Sequence, residues 1–387
     1  MVNRALFRTI LTTIRNQKWR SRLMIISAVL IVLSIVLLSG LAERQETKIE
    51  ELVRDTKINC VVTDSKGTNS ENLMMFSFYV DMLMGYRHER GCYLDEVVTD
   101  VRALATQALT FPNEHELRRI LSAESDPILA DAHIQLNAEW DESVFLTAKD
   151  VCLVAEQVIP LCKELDGVMI ITVSNGRNTK DLQVIGTVTG GGSKSIYVPF
   201  YYKWDDALSS AFMVTSCSFT ILDNSKLEQA KNEIYTYFSI PSVSNGADAE
   251  PFGVLVQDQT YRESLEKLEA SLEMLRVLLP LLAVLGGLIS FLATYAMTRG
   301  RQKEFAVMRC LGMHRIQIFA IVLLEQFLLV LTGGTFGMCL GWAIASNLPS
   351  VVLLRSASAM VLFLLGTAVA AMNITRINVM KLMKVED

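Results

Sequence analysis

The side chains that could do chemistry here are few, and their spacing does not suit catalysis. There are four histidines, His88, His115, His133 and His314. His88 and Cys92 stand four apart, as two ligands on one helical face would. Glu89-Arg90-Gly91 between them reads as a loop, so no metal site is expected. Neither a nucleophile elbow nor a zincin motif occurs. The stretch Gly190–Ser195 holds glycines, Lys194 and Ser195 in the wrong order for a phosphate-binding loop, so this chain is not expected to hydrolyse ATP or to bind a cofactor. Glu325 is another matter. It lies about two turns inside a long apolar run, where a carboxylate is expensive and faces protein or water. No second polar group for a proton relay stands out in the apolar runs, so a structural role is expected.

The remaining chemistry is that of interaction. Phe305, Val307, Met308, Leu311 and Met313 are too apolar for an exposed loop between Arg301 and Arg315, and a short helix there should press on a partner. Leu73–Met84 is dense in methionine and aromatic residues. It reads as a core helix, or alternatively as an adaptable surface for a substrate or partner. Gly333, Gly337 and Gly341 recur every four residues, a small-residue face for close helix approach within one chain or between two. Cys60, Cys92, Cys152, Cys162 and Cys217 are odd in number and cannot all pair within the chain.

These residues sit among strongly unequal surroundings. About half the 387 residues are hydrophobic and mean hydropathy is +0.33. The long apolar runs lie at 23–41 and within 277–374, which excludes a purely soluble enzyme and a compact many-span carrier. Net charge is −5, but residues 42–276 carry −16 and the rest +11. An acidic body on a basic base does not suggest nucleic-acid binding. Lys and Arg crowd residues 1–22, 298–316 and the tail, so four spans with both termini cytoplasmic satisfy the positive-inside rule. The expected order is a cytoplasmic amphipathic helix at 1–22, spans at 23–42, 277–298, 316–346 and 356–374, a cytoplasmic helix at 299–315 and a tail at 375–387. Residues 43–276 then lie outside a bacterial cell membrane.

The outer region begins and ends in helical patterns. Tyr261, Leu265, Leu268, Leu272, Leu275 and Leu279 alternate spacings of four and three, a coiled-coil seam that runs into the second span. Residues 43–57 supply a partner helix, so a paired stalk is expected. Between the stalk helices the pattern is α+β. Strands are expected at Val168–Val173, Leu182–Val188, Ser195–Pro199 and Phe212–Leu222. Helices are expected at Glu71–Tyr86, Glu114–Ser122, Ala148–Leu165 and Lys226–Phe238, with capping boxes at Thr147/Asp150 and Ser225/Glu228.

The segment from Arg301 to Met313, with Ile318, Leu324-Glu325 and the glycine run, resembles the FtsX-type permease signature: a basic-acidic start, an "I-x-x-L-R-x-L-G" helix, a Leu-Glu pair, then Gly-x-x-x-Gly. Cys310 and Met313 stand where small residues are common. Arg376–Leu382 is similar to that family's ending, with Val379 in place of proline. Val184–Phe200 looks like the end of a MacB-type periplasmic core. The resemblance implies a MacB-like, or type VII, ABC transporter permease. Such a protein works as a homo- or heterodimer with a separate cytoplasmic ATPase, which holds ATP and Mg, and with a membrane-fusion or other extracellular protein as a possible further partner. It further implies that Glu304, Phe305, Val307, Met308, Arg309, Leu311, Gly312 and Met313 form the helix that couples to the ATPase. The expected function is mechanotransmission for efflux or extraction of an amphipathic peptide, antibiotic or lipid-linked substrate. The alternative is an FtsX-like device that regulates an extracellular cell-wall hydrolase.

Overall fold

The computed structural model describes residues 18–87, 93–165, 167–190, 194–204, 212–239, 251–344 and 350–375. Most of the expected helix at 1–22, nearly all of the tail, and the His88–Cys92 pair lie outside the described residues. The chain divides into two compact units, residues 51–263 and residues 1–50 with 264–387.

Helix α1 spans Lys18–Asp55. In the middle unit it is followed by β1 (Asn59–Thr63), β2 (Met75–Phe76), α2 (Phe78–Leu83), β3 (Val98–Ala108), β4 (Glu116–Ile120), β5 (His133–Leu136), β6 (Val151–Ala155) and β7 (Lys163–Leu165). Then come β8 (Val168–Ser174), β9 (Thr179–Thr189), β10 (Ser195–Pro199), β11 (Met213–Val214), β12 (Ser216–Ile221), α3 (Leu227–Phe238) and β13 (Gly253–Val256). One mixed sheet runs β13-β1-β12-β3-β4-β10-β6-β9-β8-β7, with β5 paired to β9. The pairs β4/β10 and β6/β9 are parallel and the others antiparallel.

The central strands are buried on both faces. Cys152 and Val154 of β6 join one core with Leu117, Ile196 and Val198, while Val151 and Leu153 join another with Ile120, Ile185 and Tyr197. This burial corrects two expectations. Residues 148–165 form β6, a 3-10 turn at Glu156–Leu161 and β7 rather than a helix. A strand buried on both faces reads as a continuous apolar run, which period alone cannot separate from a helix. Residues 114–122 contain β4, which pairs with β3 and β10, and its arginines find partners outside the sheet. Arg118 bonds Asp126 at 2.6 Å, and the Arg119 guanidinium lies 4.3 Å from the Phe212 ring.

Leu73–Met84 splits into β2 and α2, with Met75, Tyr79, Val80 and Met82 buried. Tyr79 meets the rings of Tyr237, Phe238 and Phe252. The aromatic density therefore fills a core, and only Met74 is strongly exposed in that stretch. Thr147 follows a 3-10 turn and caps no helix, and Ser225 is itself bonded by the Asp223 carboxylate that caps the turn before α3. The thiols of Cys60, Cys152, Cys162 and Cys217 are free. Burial pushes Cys60 and Cys217 up to about 12.

Asp258 closes this unit at the start of the next helix. It is buried, and accepts from Lys231 at 2.5 Å and from Arg262, which also meets Glu228. Burial would raise its pKa, but the two cations hold it below the ordinary carboxylate value. A depressed folded-state pKa stabilises the fold above the unfolded value of about 3.9, and that contribution is lost as pH falls through the folded value. Asp258→Asn is therefore expected to lower the thermal unfolding temperature of the full chain at pH 7. The gap to wild type should close below about pH 4. A gap that stays constant into acid would discard the ionic account.

The second unit contains α1, α4 (Gln259–Arg299, which begins in the middle unit), α5 (Gln302–Cys310), α6 (Arg315–Ile344) and α7 (Ser350–Thr375). Four of these, α1, α4, α6 and α7, are long and apolar enough to cross a membrane. They pack around Met24, Ala28, Leu329, Val330 and Phe363, with Ala293 and Met297 against them. Glycines set the close approaches. A Cβ on Gly333 would stand 2.8 Å from the Ile25 carbonyl oxygen, and one on Gly337 2.9 Å from that of Val29. The glycine face is thus used against α1 of the same chain. Ser290 of α4 donates to the Phe363 carbonyl of α7 at 2.8 Å.

Candidate docking helix and its anchor

Helix α5 starts three residues after α4 ends and stops at Gly312, whose φ of +94° is a left-handed conformation that favours glycine. Its apolar residues divide between two sides. Phe305, Met308 and Met313 turn inward to Ile318, Val322 and Phe319 of α6 and Ala371 of α7. Val307 is 59% exposed and Leu311 80%. Of the expected coupling set, Phe305, Met308 and Met313 pack against their own chain, and Val307 and Leu311 are exposed. Cys310 is exposed beside them and Arg309 is half-buried. The sequence could not separate the two sides, because all five residues are apolar and crowd the nine residues from Phe305 to Met313.

Glu325 has the partner that was not found in the sequence. Arg301, between α4 and α5, donates from Nη1 to Glu325 Oε2 at 2.7 Å and from Nε to Glu304 Oε2 at 3.0 Å. Arg301 and Glu325 are both buried, whereas Glu304 is exposed. The guanidinium lies 5.3 Å from the Phe305 ring centre. Burial would lower the Arg301 pKa, but Glu325 and Glu304 outweigh it and raise it. The backbone of Arg301 joins both neighbours as well, donating to the Thr298 carbonyl at 3.0 Å and accepting from the Phe305 amide at 3.1 Å. The missed signal was 24 residues away in sequence, in a segment read as surface.

The seam on α4 meets α1. Leu272, Leu275 and Leu279 pack with Leu38, Ala42 and Ile49, and Arg276 bonds Glu46 at 3.2 Å. Tyr261 is buried, and Leu265 and Leu268 are partly buried between exposed neighbours. Beyond the seam a cleft of about 320 Å³ opens, lined by Ile35, Ala283, Pro280, Leu362, Arg276 and Arg355. No group of three or more His, Cys, Asp or Glu that could hold a metal occurs among the described residues.

Residues 276–383 match the FtsX-like permease C-terminal family. The crystal structure of the periplasmic region of MacB from Actinobacillus actinomycetemcomitans is similar at 14% identity, over 57% of this chain and 98% of that one, with a TM-score of 0.32. No curated protein matches the chain.

Proposed function

Because residues 276–383 match the FtsX-like permease C-terminal family, we propose that this chain is the membrane subunit of an ABC transporter driven by an ATPase on a separate chain. Four helices of spanning length support a membrane location, and the lysines and arginines flanking them favour a cytoplasmic α5. The observation that carries the reading is the divided helix α5. One side is fixed to the bundle by Phe305, Met308 and Met313, and the other presents Val307 and Leu311 to water. Exposed apolar residues on an anchored helix fit a complementary protein groove. Two copies of the permease would then carry two ATPases, and closure of the ATPases would move α4 and the outer sheet unit.

The cleft between α1, α4 and α7 supports an amphipathic cargo. Its walls are apolar, and Arg355 adds a cation while Arg276 is already paired with Glu46.

Val307→Asp with Leu311→Asp is the direct test. Both positions face water in the free subunit, so the variant should fold. Docking would bury two unpaired carboxylates at a cost of several kcal/mol, enough to abolish recruitment of the ATPase in co-purification. Loss of recruitment would also place α5 on the cytoplasmic side, where the ATPase resides. Wild-type recruitment by the double variant would overturn the assignment.

A further inference from the structure

Arg301 touches α4, α5 and α6 together. Its amide bonds the end of α4, its carbonyl starts α5, and its guanidinium reaches Glu325 in α6. A buried ion pair is not needed to hold helices together, because apolar residues of similar volume do that at least as well. Apolar packing, however, lets a short helix slide. A planar fork that binds two carboxylates, Glu325 at 2.7 Å and Glu304 at 3.0 Å, fixes one register. Glu304 lies on α5 itself, so the fork ties the first turn of the docking helix to the interior of α6. The apolar cluster around Phe305 and Met308 ties the remainder.

We propose that Arg301 and Glu325 form a clamp that makes the docking helix and α6 one mechanical body. A push on Val307 and Leu311 then moves α6, together with α1 through the glycine face, as well as α4. Arg301 and Glu325 are positioning residues for coupling. They do not touch the ATPase, because both are buried away from the Val307 and Leu311 surface. The idea rests on the permease reading above.

The test separates recruitment from coupling. Glu325→Gln leaves the outer side of α5 intact, so the ATPase should be recruited as by wild type and hydrolysis should continue. Transport per ATP should fall about tenfold, within the usual range of a coupling free energy between sites. Label at the native Cys310, which is exposed on α5, should gain mobility. The swap Arg301→Glu with Glu325→Arg, made in a Glu304→Gln background so that no carboxylate opposes the new glutamate, rebuilds the pair and should restore both transport and the immobile label. A folded Glu325→Gln chain with normal transport per ATP overturns the clamp, and so does a folded swap that stays uncoupled. Should those variants not accumulate, Arg301→Lys decides. It keeps a cation on Glu325 and loses the fork, so a normal label and normal transport there also overturn the proposal. Failure of the wild-type chain to recruit any ATPase would instead reject the permease reading, a separate outcome.

Discussion

Replacing Gly337 with leucine is expected to destabilise the four-helix unit strongly. A Cβ at that position would stand 2.9 Å from the Val29 carbonyl oxygen and 3.3 Å from Val29 Cα. Those are backbone atoms of α1 and cannot rotate aside as a side-chain tip can. The helices would have to separate, and the loss would spread along the row, because Gly333 meets the Ile25 backbone and Gly341 the Val36 side chain. Overpacking in a well-filled core costs about 1–3 kcal/mol, and a leucine against backbone belongs at the upper end or beyond. Within a membrane this packing is a main source of helix association, since lipid offers apolar surface as readily as protein does. Gly286 provides the contrast. A Cβ there meets only the Ile31 side chain, whose γ-methyl at 2.9 Å must give way, so Gly286→Ala should cost less than a clash with backbone. Detergent-solubilised protein should give a much lower unfolding temperature for Gly337→Leu and a smaller drop for Gly286→Ala. Equal temperatures would show that the glycine row is not a close contact.

The long-helix half of the fold was legible because its signals are local. Apolar length, a four-residue glycine repeat and a three-four seam all report on one helix at a time. The partner of the glycine row was not legible, since Ile25 and Val29 lie in an apolar run with no distinguishing residue. The sheet unit was harder for the same reason. Val151–Ala155 is wholly buried, so alternation was erased, and Glu116–Ile120 looks helical until β3 and β10 are known to flank it. Helix α5 was legible in position but not in facing. Phe305 and Leu311 are alike in composition and opposite in exposure, and only α6 and α7 decide between them. The Arg301–Glu325 pair combines both difficulties: each charge was visible, and their meeting depended on the turn between α4 and α5.

A break in the stalk should uncouple hydrolysis from transport. Helix α4 is unbroken for 41 residues, about 60 Å at 1.5 Å per residue, so it can carry a displacement from one end to the other. Its packed seam at Leu272, Leu275 and Leu279 is braced by α1. Lys267 and Leu268 lie beyond that brace, where the helix must supply its own stiffness. Replacing both with glycine costs about 1 kcal/mol each in helix stability and admits bent conformations. Charge substitutions would test little, because exposed pairs contribute about 0–1 kcal/mol. The Gly-Gly chain should still recruit the ATPase, because Val307, Leu311 and the Arg301 clamp lie at the far end of α4. ATP turnover should stay close to wild type while transport, or the resistance it confers, falls sharply. The order of effects separates this from the docking variant, which loses recruitment and turnover together. If transport survives the break at wild-type level, α4 is a tether, and movement must reach the sheet unit through α1 or not at all.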